Sequence, residues 1–158
     1  MAKGEAPVSP VEVVSVNSID ELVKSLPHKS TYFTLLLAWD APPFPEPIPV
    51  EKLRPLVDHG LVYFCSWGDR CEEVHDAIDH CDIDRMKKPG SEDDVIMTTW
   101  HSKETLDEAF WFFSNLALPS DESKWGNLDR FAAAVGNREW AERMERAVTR
   151  TENEAPSS

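Results

Sequence analysis

Three apolar runs along the chain each end at a tryptophan that is followed by a polar or small residue. The runs occupy residues 32–38, 61–66 and 95–99, and their endings are Trp39-Asp40, Trp67-Gly68-Asp69 and Trp100-His101. Runs of this length that are rich in β-branched and aromatic residues are typical of buried strands. Segments with helical spacing of apolar residues separate them, and this alternation favours a parallel sheet.

The segments around these runs predict the remaining elements. A short strand is predicted over residues 11–16, and Ser18 with Glu21 has the form of a capping box that begins a helix. Further helices are predicted over residues 50–60, 69–81, 103–118, 128–135 and 138–148, from their apolar spacing and their caps. Ser102 and Asn137 are the predicted N-caps of the helices over 103–118 and 138–148. Pro27 is expected to end the first helix, and residues 85–94 to form a charged loop. We therefore predict a small three-layer α/β domain over residues 11–148. It has a mainly parallel sheet of three to four strands, flanking helices and extra C-terminal helices, with disordered tails over 1–10 and 149–158.

A proline-rich segment follows the first central strand. Residues 41–49 contain five prolines in nine residues, so the segment is extended and stiff. The favoured interpretation is a rigid connector. The alternative is a lid, or a ledge on which a partner rests.

Composition excludes several classes of function. A net charge of −13 argues against binding to nucleic acid or to anionic membranes, and it fits either a solvated acidic surface or a basic partner. No apolar run approaches the roughly 18 residues of a membrane span, and the first residues lack the apolar core of a signal peptide. Three cysteines without a paired spacing predict reduced thiols in a cytoplasmic protein.

Ligands of open parallel sheets bind outside the carboxyl ends of the strands, which places the expected site at the three tryptophan endings. The candidates for binding a ligand or a partner are Trp39, Trp67, Gly68, Asp69 and Trp100. Gly68 and Asp69 also have a structural explanation, because glycine suits a tight turn and aspartate caps a following helix. Three interpretations are open for Asp40 and His101. They pair with each other, they cap the segments that follow them, or they form a general acid and base couple.

A second group of polar residues lies on the helix that follows the second central strand. Cys71 and His75 are four residues apart and share a helix face, so they suit a metal site that His101 or Asp40 completes. They equally suit a cysteine nucleophile with a histidine base. The alternative is that Cys71 belongs to the buried stripe of this helix. The sequence leaves any cofactor unassigned.

The three endings also carry a family resemblance. The stretches 37–40, 65–68 and 98–101, together with Cys71 and residues 74–76, resemble a family of small bacterial proteins of uncharacterised function. The resemblance spans about residues 30–120. It implies a bacterial cytosolic setting and brings no catalytic role.

Two functions remain open. The first is a binding or protein-interaction module with its site at the strand carboxyl ends. This hypothesis predicts that changes in residues 42–49, or at Trp111, abolish binding of a protein partner. The second is a small hydrolase or ligand-binding enzyme that uses Asp40, His75 and His101, with or without a divalent metal. A small-molecule ligand is compatible with either function.

Overall fold

The chain alternates strands and helices along almost its whole length. A computed structural model describes residues 9–26, 32–90 and 95–154. Its elements are β1 (Val11–Val16), α1 (Ile19–Ser25), β2 (Tyr32–Trp39), α2 (Val50–Asp58), β3 (Leu61–Trp67), α3 (Cys71–Met86), β4 (Met97–Trp100), α4 (Leu106–Leu116), a 3-10 helix (Glu122–Asn127), β5 (Leu128–Val135) and α5 (Arg138–Glu154).

All five strands are parallel and lie in the order β1-β5-β2-β3-β4. The chain builds β1 to β4 in one direction across the sheet and then returns to place β5 between β1 and β2. The predicted α/β class with a mainly parallel sheet is therefore confirmed. In the parts of the chain that are described, no helix combines the length and the apolar character needed to cross a membrane.

The alternation of side chains along β2 divides the core into two layers. Leu35 and Leu37 face α1, α2 and α3 on one side of the sheet. Leu36 and Ala38 face α4 and α5 on the other side. Because both faces are covered, the central strands are apolar throughout, and the predicted three-layer arrangement is confirmed.

The prediction of a helix over residues 128–135 is wrong, because this segment is β5, an internal strand of the sheet between β1 and β2. The run Ala132, Ala133 and Ala134 has high helix propensity, which favoured the wrong element. In the sheet these three alanines are completely buried, and their small size lets helices pack closely on both faces. Packing has overridden propensity here, and the sheet has five strands instead of three or four.

The helix caps and boundaries agree with the prediction only in part. Ser18 caps α1 as predicted, through a hydrogen bond from the Glu21 amide. Helix α4 begins later than predicted, because Thr105 and Glu108 form its capping box and Ser102 does not. Helix α5 is capped by Asn137 as predicted, but it continues to Glu154, so residues 149–154 are helical and not a tail. Residues 1–8 and 155–158 of the predicted tails lie outside the described residues, as do the predicted helix stop at Pro27 and part of the loop over 85–94.

Candidate functional site

A cavity of about 250 Å³ opens at the carboxyl edge of the sheet, where β2, β3 and β4 end beside the start of α5. It is lined by Asp40, Trp67, Gly68, Asp69, His101, Ser102, Glu104 and Trp140. Within the described residues this lining includes no lysine or arginine. Three carboxylates and two indoles therefore dominate its chemistry.

Gly68 shapes the floor of the cavity. Its φ angle is +129°, and a Cβ atom at this position would lie 2.6 Å from the Trp39 carbonyl oxygen. The turn after β3 therefore packs directly on the backbone at the end of β2, and only glycine fits there. This close approach brings Asp69 to the same side of the sheet as Asp40.

Asp69 does not cap α3, contrary to the prediction. The N-cap position is Arg70, and its side chain makes no capping hydrogen bond. The carboxylates of Asp40 and Asp69 line the cavity and, in the portion of the chain that is described, have no hydrogen-bond or ion-pair partner. Both are therefore available to a ligand.

His101 is held from both of its ring nitrogens. Nδ1 donates to the Glu104 carboxylate, and Nε2 lies 2.9 Å from the Thr99 hydroxyl. The ring also packs against Phe112 at 4.8 Å and is only 5% exposed. A histidine with both nitrogens engaged inside the protein fixes the loop after β4 more readily than it exchanges protons with a substrate.

Two tryptophans form the aromatic side of the cavity. The indole N–H of Trp67 donates to the Glu104 carbonyl oxygen at 2.8 Å, which fixes the orientation of its ring. Trp140, from the first turn of α5, meets this ring edge to face with centroids 4.9 Å apart. The cavity thus combines fixed aromatic surfaces with the carboxylates of Asp40 and Asp69, which have no partner among the described residues.

His75 lies elsewhere, on the side of the sheet that α3 covers. Its ring packs against Trp100 in a tilted arrangement with centroids 4.6 Å apart, and its nitrogens lie 3.0 Å from the Thr98 hydroxyl and 3.0 Å from an Asp76 carboxylate oxygen. Neither His75 nor Trp100 lines the cavity. The structure therefore separates His75 from Asp40 and His101, the other two candidates for catalysis.

The potential metal ligands are arranged differently from the prediction. Among the described residues, the one group of three or more side chains with ligand atoms close enough to share an ion is His75, Asp76 and Asp79, within 4.8 Å of one another. Cys71 and His101 are not part of it. The Cys71 thiol accepts instead from backbone amides that include that of His101, and burial raises the pKa of this thiol. A buried thiol with a raised pKa is a poor nucleophile.

A second cavity of about 530 Å³ lies beside the first, on the face of the sheet that α1 and α2 cover. Trp39 and Asp40 belong to its wall, together with residues 41–43 of the proline-rich segment. Arg70 fixes this segment, since its guanidinium donates to the carbonyl oxygens of Pro42 and Glu46 while paired with Glu73. This geometry supports the interpretation of the segment as rigid.

The comparison with known families covers nearly the whole described chain. Residues 11–151 match the model of a domain of unknown function, DUF7684. The chain belongs to this family. No curated protein and no solved structure shows significant similarity to it. Membership in the family assigns no activity, so the chemistry of the site rests on the geometry described above.

Sequence reasoning found five residues of the cavity lining, which are Asp40, Trp67, Gly68, Asp69 and His101. It missed Ser102, Glu104 and Trp140 as lining residues. Glu104 follows His101 by three residues, in the loop after a predicted strand. This position alone indicates that it lies near the carboxyl edge of the sheet. Trp140 was assigned to the apolar stripe of a terminal helix. Because residues 128–135 form a strand, α5 begins at the carboxyl edge of the sheet and Trp140 reaches the cavity. A predicted helix over the same residues gives no reason to place Trp140 there.

Proposed function

We propose that this protein is a binding module that accepts a positively charged group of a partner at the carboxyl edge of its sheet. The observation that carries the proposal is the first cavity, in which Asp40, Asp69 and Glu104 surround a space walled by Trp67 and Trp140. Carboxylates attract a guanidinium or an ammonium group, and indole faces stabilise it further.

The charge of the whole chain supports a basic partner. A net charge of −13 accelerates the approach of positively charged partners and slows that of negatively charged ones. Phe44 in the proline-rich segment and Trp111 on α4 are 79% and 60% exposed, and both are of the type that anchors protein interfaces. The proposed setting is a bacterial cytosolic complex.

The alternative, a hydrolase that uses Asp40, His75 and His101, has weaker support. The two histidines lie on opposite faces of the sheet, and each has both ring nitrogens engaged within the protein. A reaction at one centre requires these groups to converge on one substrate atom.

The test is calorimetric titration with a matched pair of probes, acetyl-arginine amide and acetyl-citrulline amide. They have nearly the same shape, and only the first carries a positive charge. We expect saturable binding of the arginine probe and at least about tenfold weaker binding of the citrulline probe. Equal binding of the two probes, or no binding of either, contradicts the proposal.

A pair of variants locates the binding. Asp40→Asn removes one carboxylate of the cavity and should weaken the arginine probe about fivefold, which corresponds to roughly 1 kcal/mol. Asp58→Asn removes an exposed carboxylate at the opposite edge of the sheet and should leave the affinity unchanged. The same loss in both variants indicates a nonspecific charge effect and not a site.

A further inference from the structure

The two cavities at the carboxyl edge meet at one residue. Asp40 lines both the cavity of about 250 Å³ and the cavity of about 530 Å³. It directly follows β2, and its backbone amide is held by the Val135 carbonyl oxygen at 2.9 Å. The first cavity lies towards α5 and the second towards α1 and α2, so Asp40 stands between the two at the end of the sheet.

A glycine directly follows each of the two strands that flank β2. β3 is followed by Gly68 and β5 by Gly136, each with a positive φ angle. A Cβ atom at position 136 would lie 3.5 Å from the Asp40 Cβ. Neither glycine carries a side chain, so Asp40 contributes the one side chain of this group at the boundary between the two cavities. We call Asp40, Gly68 and Gly136 the saddle.

The second cavity extends the chemistry of the first. Ile19, Ala41 and Pro43 give its wall apolar surface, and Glu46 adds a further carboxylate. Lys52 is the one basic residue among the described residues that line it, and its ammonium group is paired with Asp20 at 3.1 Å. The two cavities together thus present acidic groups at several points and apolar surface between them.

We propose that the two cavities form one groove for an extended basic peptide segment of a partner protein, which crosses the sheet end at the saddle. This inference rests on the proposed function, because it places the charged group of that segment in the first cavity. A groove that joins two cavities across a saddle whose one side chain is the carboxylate of Asp40 suits a basic chain of residues. A compact small molecule would fill the first cavity alone.

The test compares ligands of different length by calorimetry. Acetyl-arginine amide fills one cavity, whereas a hexapeptide spans up to about 20 Å when extended. Two blocked hexapeptides of serine and leucine carry a single arginine at the first or at the last position, so that both chain directions are covered. We expect one of them to bind at least about tenfold more tightly than acetyl-arginine amide.

Three tryptophan variants locate the source of this gain. Lys52→Trp and Asn17→Trp each place a bulky side chain at an exposed position on the wall of the second cavity. Each should abolish the advantage of the hexapeptide and leave the affinity for acetyl-arginine amide unchanged. Lys24→Trp, an exposed position of α1 outside both linings, removes the same charge as Lys52→Trp and should preserve the advantage.

The outcomes separate the two proposals. If acetyl-arginine amide binds and no hexapeptide binds better, or if the advantage survives in both wall variants, the peptide groove is refuted and the cation site stands. Binding of spermidine more tightly than either hexapeptide also refutes the groove, because spermidine carries more charge and no peptide backbone. If none of these ligands binds, both proposals fall.

Discussion

At the amino ends of the strands, the guanidinium of Arg130 is buried and donates to the carbonyl oxygens of Ser9, Phe113 and Ser114. At the carboxyl ends, the carboxylates of Asp40 and Asp69 face a cavity and have no partner in the described part of the chain. The partial charges of the helix ends favour both residues. Arg130 lies near the negative end of α4, and Asp69 lies beside the positive start of α3. The difference lies in what the charge contacts. Arg130 stabilises the protein itself, whereas the two aspartates are left for another molecule.

The largest expected effect is at the amino edge. Arg130→Met removes the donors that satisfy the last carbonyl groups of α4, and burial leaves those groups without water. We expect the free energy of unfolding to fall by about 3 kcal/mol, measured by urea denaturation. The affinity for acetyl-arginine amide should stay within about twofold of the wild-type value.

Arg130→Lys is the matched control, because it keeps the charge and loses the planar fork of donors. Its stability should lie between those of the wild type and Arg130→Met. A loss below about 1 kcal/mol in Arg130→Met would show that the amino edge does not depend on this residue.

The next effect concerns the close approach of backbone at the carboxyl edge. Gly68→Ala places a Cβ atom 2.6 Å from the Trp39 carbonyl oxygen and strains a residue with positive φ. Gly90→Ala is a matched control, because its φ is also positive while nothing lies within 4 Å of the added atom. We expect losses of stability of about 2 kcal/mol for Gly68→Ala and about 1 kcal/mol for Gly90→Ala in thermal or urea unfolding. Equal losses would mean that the contact with β2 is relieved by a small shift.

The third prediction concerns the middle of the sheet, between the two edges. Burial raises the pKa of the Cys65 thiol to about 12 from the ordinary value of 9.0. The unfolded chain therefore releases this proton first, so the stability that the neutral thiol contributes is complete below about pH 9 and is lost as the pH rises towards 12. Between pH 9 and pH 10 the wild type should lose about 1 kcal/mol more than Cys65→Ala. Parallel pH profiles for the two proteins would contradict a raised pKa.

The smallest change in stability is expected at Asp69. In contrast to Arg130, a substitution here should affect binding more than stability. Asp69→Asn should change the free energy of unfolding by less than about 0.5 kcal/mol, because the carboxylate is exposed and pairs with none of the described residues. It should weaken binding of acetyl-arginine amide about fivefold. A variant that loses stability and keeps affinity would assign Asp69 to the fold and not to the site.

The sequence predicted the fold class because the three central runs have an unambiguous composition and end at tryptophan. It failed at β5, whose buried alanines have the propensity of a helix and whose two covered faces remove the alternation that marks a strand. The order of strands was not predictable, since β1 pairs with β5 across more than a hundred residues of sequence.

Only part of the candidate site was predicted, because the sequence shows which residues follow a strand but not how the helices pack on the sheet. Residues that directly follow a strand reach the carboxyl edge whatever the strand order, which is why Asp40, Asp69 and His101 were found. His75 was misplaced because helical spacing gives the face of a helix and not the strand that this face meets. Trp100 and His101 are adjacent in sequence but point to opposite sides of β4, one to His75 and the other to Phe112.

The position of β5 has a consequence for the order in which the protein matures during synthesis. β1 leaves the ribosome first, yet among the described strands it pairs only with β5, which is made more than a hundred residues later. Until residue 135 has emerged, the first strand has no neighbour and the edge of β2 is open. A nascent chain halted before that point exposes both edges of β1 and one edge of β2, and unpaired strand edges are templates for aggregation. The late insertion of β5 between β1 and β2 then completes the sheet and closes both core layers.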